Sequence, residues 1–155
     1  SIVAGGVAKQ AARALGLGRK AIDQALLAGM LHDVGKLVEI SGIQEGYARV
    51  KALMGEQGLG VVEAERQVLG CTHADIGAYL LTLWGFTSPV VEAVAYHHHP
   101  GDSLDTAVTP LTAVHLAEVL THGMEGSDIA LDVAYLERVG VCADEDRWRA
   151  ELQVN

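Results

Sequence analysis

No stretch of this chain alternates apolar and polar residues over a sustained length, so nothing in it reads as a half-buried strand. What recurs is helical spacing, cut into short pieces by glycine and proline. Half of the 155 residues are apolar and only 5% are aromatic, so the core has to be built from Ala, Val, Leu and Ile. That composition favours helix and excludes intrinsic disorder. A chain of this length is one domain's worth and can bury roughly 70% of the surface its unfolded form exposes. The expectation is a single all-α domain over residues 1–155, with about seven to nine helices.

Ala4 to Leu15 is a small-residue helix stopped at Gly16-Leu17-Gly18. The next reads from Lys20 to Val34, with Gly35 as its C-cap glycine. Ala25 to Leu31 is apolar on every side, which predicts a buried central helix. Gln44 to Gln57 is a more exposed helix with Tyr47, Val50, Leu53 and Met54 on one face. Ile43, Tyr47 and Val50 read equally well as an interface stripe or as ordinary core. Val61 to Leu69 carries Glu63 and Glu65, and Ala74 to Trp84 follows with His73 at its start. Ser88-Pro89 supplies a Ser N-cap and a Pro at the first helical position for a helix through His98. Thr109-Pro110 repeats that signal for Leu111 to His122, and Asp132 to Val139 and Asp144 to Leu152 close the chain. Ser1 falls inside what already reads as a helix, so a fragment of a longer protein is expected.

The net charge is −9, from 20 acids against 11 bases. Duplex DNA is a poor partner for such a surface, because binding it depends on Lys and Arg displacing counterions. An anionic membrane is disfavoured for the same reason, although a local site can still hold a small phosphate. Cys71 and Cys142 share no metal or redox motif, and a reducing cytoplasm is the simplest setting. The longest uncharged stretch, Ile76 to Val91, is 16 residues broken by Gly77, Gly85 and Pro89, too short to span a bilayer.

The chemistry concentrates on His32-Asp33, near the end of the most apolar helix. A carboxylate buried there costs several kcal/mol unless it is paired or binds a cation. An isolated pair reads as a buried Asp satisfied by its neighbours. The seven histidines change the reading, because 32, 73, 97, 98 and 99 fall near predicted helix ends. His115, Glu118 and His122 project from one face of a late helix. Imidazole and carboxylate groups from several helices are how bundles build metal sites, and this mixture suits Fe, Mn, Zn, Ni or Co. The competing readings are a solvated helix terminus for His97 to His99, surface or half-buried side chains for His115 and His122, and a solvated face for Glu118.

Leu31-His32-Asp33-Val34-Gly35-Lys36 resembles the HD signature of the HD superfamily of metal-dependent phosphohydrolases. Later segments resemble its HDOD branch: Glu65 followed by Gly70-Cys71-Thr72-His73-Ala74-Asp75-Ile76-Gly77-Ala78-Tyr79-Leu80, then Trp84-Gly85-Phe86-Thr87-Ser88-Pro89, then Val94-Ala95-Tyr96-His97-His98-His99-Pro100. Leu131-Asp132-Val133-Ala134-Tyr135-Leu136, with Gly140, is similar to the end of such a domain. The resemblance implies a compact HD-superfamily helical bundle. It implies a bacterial signal-transduction output domain, working with signalling partners such as a receiver domain. The alternative is a metal-dependent phosphohydrolase acting on a nucleotide or other phosphoester.

In the family pattern His32 and Asp33 would be metal ligands, with Asp33 bridging, and His73, His97 and His98 would hold a second metal. Glu118 best matches the last ligand position, which is usually Asp, and Lys36 would face a substrate phosphate. Asp33 and Lys36 are therefore the catalytic candidates, and the implied cofactor is one or two divalent ions of Fe, Mn, Ni, Co or Zn, or none in a degenerate site. Three departures bear on activity. The superfamily's first His would align just before Ser1, so it either lies upstream of this sequence or does not exist; Glu replaces Asp at 118; and His99-Pro100-Gly101-Asp102-Ser103 follows the His pair where a GYP motif would mark a cyclic di-GMP hydrolase. A nucleotide ligand and a symmetric homodimer complete the expectations.

Overall fold

Every residue from Pro110 to Leu120 is buried, so this helix, and not the one before His32, forms the axis of the molecule. The structure, a computed structural model, describes residues 2–122 and 129–154. Among them are ten α-helices, one 3-10 turn and no strand. They are α1 (Ile2–Ala14), α2 (Arg19–Leu31), α3 (Val34–Gly42), α4 (Gln44–Gln57), α5 (Val61–Leu69), α6 (His73–Leu83) and α7 (Ser88–Tyr96). The 3-10 turn Pro100–Asp102, α8 (Pro110–His122), α9 (Val133–Arg138) and α10 (Glu145–Leu152) follow. None is long and apolar enough to cross a membrane.

The all-α expectation holds, with one helix more than the nine segments read from the sequence. The extra one comes from the HD motif. A single helix from Lys20 to Val34 does not form; α2 stops at Leu31 and α3 starts at Val34. Gly35 is therefore not a C-cap but lies in the first turn of α3. A Cβ there would collide with the carbonyl oxygen of His73, so the glycine is needed for close approach of α3 to the start of α6. The Ala25 to Leu31 segment is also not buried all round, since Leu27 and Met30 are 43% and 41% exposed. An all-apolar stretch marks a buried helix only where neighbours surround it, and packing against α1, α7 and α8 leaves Leu27 and Met30 of α2 uncovered.

Local signals account for the other boundaries. Gly70 ends α5 in the left-handed conformation (φ 77°), and two residues later Thr72 caps α6 with a reciprocal capping box to Asp75. This tight turn brings α5 alongside the first turn of α6. Thr87, not Ser88, is the N-cap of α7, because helical geometry already begins at Ser88. Asp132 and Asp144 cap α9 and α10 by accepting the backbone N–H of Tyr135 and Arg147. Val50 is core whereas Ile43 is 41% exposed.

The core is the predicted aliphatic one: Ala8, Ala11, Ala12, Ala25 and Ala28 let α1 and α2 pack closely, and Leu81, Val94, Leu116 and Leu120 fill the space towards α8. Arg138 ties the segment after the tandem histidines by donating to the carbonyls of Pro100, Gly101, Ser103 and Asp105.

Candidate metal centre

Four pieces of chain meet at the HD motif: the α2–α3 junction, the start of α6, the end of α7 and the middle of α8. They bring together His32 and Asp33, His73, His97 and His98, and Glu118. His73 and His97 are fully buried, and His32 and Glu118 are 1% exposed. His115 is buried as well, but the structure does not bring it into the cluster. The side chain of His122 lies outside the described residues, so the predicted face of His115, Glu118 and His122 is seen only in its first two members.

Each buried imidazole is anchored from behind. His32 Nδ1 donates to the carbonyl of Gly29 at 2.8 Å, and His97 Nδ1 to that of Val94 at 2.7 Å. Carbonyl oxygens only accept, so both Nδ1 atoms carry the proton and both Nε2 atoms turn inward. His73 Nδ1 lies 2.8 Å from both oxygens of Glu65, which also accepts the His73 backbone N–H. An imidazole held by a carboxylate or carbonyl on one nitrogen, with the other aimed inward, is the arrangement that orients metal ligands.

The inward side is polar and tight. His32 Nε2 lies 2.9 Å from Glu118 Oε2 and 3.3 Å from Asp33 Oδ2. The other Asp33 oxygen is 3.5 Å from His73 Nε2. Asp33 thus stands between His32 and His73. His98 Nε2 is 2.9 Å from His73 Nε2, a separation at which two ring nitrogens need a proton or a cation between them. His97 Nε2 is fully buried with no hydrogen-bond partner among the described residues. Two overlapping triads, His73–His97–His98 and His32–His97–Glu118, keep their donor atoms within 4.8 Å of one another. A nitrogen orphaned beside carboxylates and further imidazoles is the donor chemistry of a divalent transition-metal site, and these residues fit such an ion.

The electrostatics agree. Burial alone would lower the pKa of His32, but Asp33 and Glu118 override it and raise it to about 9. Burial would raise Asp33, yet His32 and Lys36 hold its carboxyl well below the usual range. Burial pushes His97 well below its ordinary value and His98 down to about 3, assisted by the neighbouring imidazoles. The cluster therefore sets a protonated His32 against an ionised Asp33, with His97 and His98 neutral.

Lys36 was expected to face a substrate phosphate; it is ion-paired with Asp33 at 2.6 Å, each side chain 26% exposed. These two form the exposed edge of the cluster. Three further residues take parts that sequence reasoning did not assign. Glu65 orients His73. Glu39 is fully buried against Glu65, and burial plus that charge push its pKa up to about 7. His115 accepts the backbone N–H of Asp132 on Nε2, so its Nδ1 donates to the carbonyl of His97 and secures the tandem histidines to α8. Glu65, an acid eight residues before His73, and His115, on the helix face shared with Glu118, left a trace in the sequence; Glu39 left none.

Fold and cluster together define an HD-type helical domain. The chain belongs to the HDOD family, whose HDOD domain model matches residues 1–100. An uncharacterised protein of Treponema pallidum (strain Nichols) is 31% identical over 91 residues, 56% of this chain and 18% of that one. An HDOD domain protein of unknown function from Geobacter sulfurreducens superposes with a TM-score of 0.81 at 20% identity, over 98% of this chain and 56% of that one. A Shewanella amazonensis SB2B structure described as a "putative phosphohydrolase" gives 0.74 at 21% identity, over the same shares. The chain thus spans just over half of these two solved proteins and under a fifth of the sequence relative.

Proposed function

We propose that this chain is a regulatory module of a bacterial signalling protein, organised around a divalent cation held by His32, Asp33, His73, His97, His98 and Glu118. The observation that carries the reading is the fully buried His97 Nε2, which has no hydrogen-bond partner among the described residues and sits within 4.8 Å of donor atoms on four other candidate ligands. The near-complete burial of the cluster favours a cation that holds helices in place over one that turns substrate over. What supports a signalling role is membership of the HDOD family and a surface that leaves large apolar side chains uncovered.

The second reading is a metal-dependent phosphohydrolase for a nucleotide or other phosphoester, and the exposed Asp33–Lys36 edge favours it. A bound divalent ion would supply Lewis acidity there. Lys36 would attract phosphate oxygens, Asp33 would hold the cation, and Glu65 would fix His73.

Elemental analysis of protein purified without added metal tests the proposal. About one or two equivalents of Fe, Mn, Ni, Co or Zn are expected. Asp33→Ala should then lower the melting temperature sharply in metal-loaded protein and little after chelation. Under a tenth of an equivalent after metal soaking, or equal losses in both states, would overturn it. Metal-dependent hydrolysis of bis(p-nitrophenyl) phosphate, lost in Asp33→Asn, would favour the second reading.

A further inference from the structure

We propose that the groove between α2 and the α6–α7 turn docks an acidic amphipathic helix of a partner protein. The groove is shallow and open to water, with a volume of about 720 Å³. One wall is the ridge Lys20–Gln24–Leu27 of α2, which runs about 10 Å at 1.5 Å per residue. The other is Trp84, Phe86 and Val90. Leu27 is 43% and Trp84 60% exposed, so the groove offers an aromatic and an aliphatic anchor to water. Tyr79 and Leu83 on α6, the helix that leads into Trp84, are 68% and 64% exposed. A straight ridge, polar at Lys20 and Gln24 and apolar at Leu27, facing a wall with Trp84 and Phe86 suits an amphipathic helix laid in a groove with side chains spaced by one turn.

Charge selects the kind of helix. The molecule carries −9 overall, yet this rim carries Arg19 and Lys20 against a single acid, Asp23. Both basic residues are exposed, and neither is ion-paired among the described residues. They also border a second concavity of about 440 Å³, shared with Gln24 and Thr87, so the cationic rim separates two adjoining hollows. Gln24 donates to Thr87 Oγ1 at 3.0 Å, which fixes the two walls to each other. An acidic face meets this rim favourably and would be repelled by most of the remaining surface.

None of the histidines or carboxylates of the candidate metal centre lines the groove, so the proposal stands or falls apart from the metal reading. Trp84 reports on the groove, since the other tryptophan, Trp148, is 5% exposed in the core. The probe is a synthetic helical peptide of about sixteen residues with Leu and Phe at helical spacing and Glu elsewhere, against a twin with Lys in place of Glu. The full chain is titrated, reading Trp84 fluorescence and peptide anisotropy. Expected are a blue shift with the Glu peptide, affinity at least about tenfold weaker for the Lys peptide, and weakening with salt. Arg19→Glu with Lys20→Glu, and separately Leu27→Ser, should each cost about tenfold or more in affinity without moving the melting temperature. Equal affinity for both peptides, no effect of these exposed substitutions, or a Trp84 shift that instead tracks a doubling of molecular mass with protein concentration would each overturn the proposal.

Discussion

Glu39 and Glu65 share a volume that excludes water, and both cannot carry a full charge in it at ordinary cost. Glu65 is committed to His73, so Glu39 takes the proton and its pKa rises to about 7. Its folded value lies above its unfolded one, near 4.5. Between those values the folded state holds a proton that the unfolded state has lost, and stability falls as pH rises, by at most about 1.4 kcal/mol per unit. Glu39→Gln should therefore leave the melting temperature at pH 5 nearly unchanged and raise it at pH 8, flattening a series of melts across that interval. Glu65→Gln keeps the shape but weakens the hold on His73. Metal affinity by competition with a fluorescent chelator should fall about 10- to 100-fold, the usual loss for such a supporting carboxylate. An unchanged affinity would mean that His73 is positioned by packing alone.

The decisive element is the break between α2 and α3. It lies at His32-Asp33, with no glycine or proline inside it, and it lets His32 reach Glu118 on α8 while Asp33 reaches towards His73 on α6. The approach depends on Gly35, whose missing Cβ admits the carbonyl of His73, and on Gly77 of α6, where a Cβ would press on Val34 and Val94. Gly35→Ala puts a methyl against backbone, which cannot swing aside. Overpacking of this kind costs typically 1–3 kcal/mol, roughly a 3–10 °C drop in melting temperature for a chain of this size. Metal content should fall with it, because α3 must move away from α6. Retention of full metal content with an unchanged melt would show that the contact relaxes freely.

At the scale of the molecule, the candidate ligands come from four separated stretches of chain, so a bound cation would tie α2, α6, α7 and α8 together. A ligand that binds only the folded state at about 100 times its dissociation constant adds about 2.7 kcal/mol. Chelation should then lower the melting temperature by roughly 5–10 °C, read by calorimetry with and without chelator. The pH dependence has a definite sign. A cation at His32 must displace a proton held up to about pH 9, so affinity should climb from pH 6.5 towards 9. In metal-free protein the same group contributes stability below its unfolded value of 6.5 and loses it as pH passes about 9. The fold that sets up this cluster is the one the HDOD family shares.

The helices were legible because their ends are written locally: Gly16, Gly58, Gly70 and Gly140 all adopt positive φ, and Thr72, Asp132 and Asp144 cap the helices that follow. Histidine and carboxylate spacing, with the family resemblance, sufficed to name His32, Asp33, His73, His97, His98 and Glu118, which do converge. The break at His32-Asp33 was not legible, because no local breaker stands there and contacts with α6 and α8 set it. The exposure of Leu27 and the burial of Glu39 and His115 were hidden for the same reason. Apolar periodicity states which face could be covered, whereas only the packed neighbours decide which face is. Sequence alone therefore determined helix content, most boundaries and which side chains were candidates for the cluster. Tertiary structure decided the inward aim of each Nε2, the second carboxylate behind Glu65 and the groove left open beside α2, all of which depend on groups far apart in the chain.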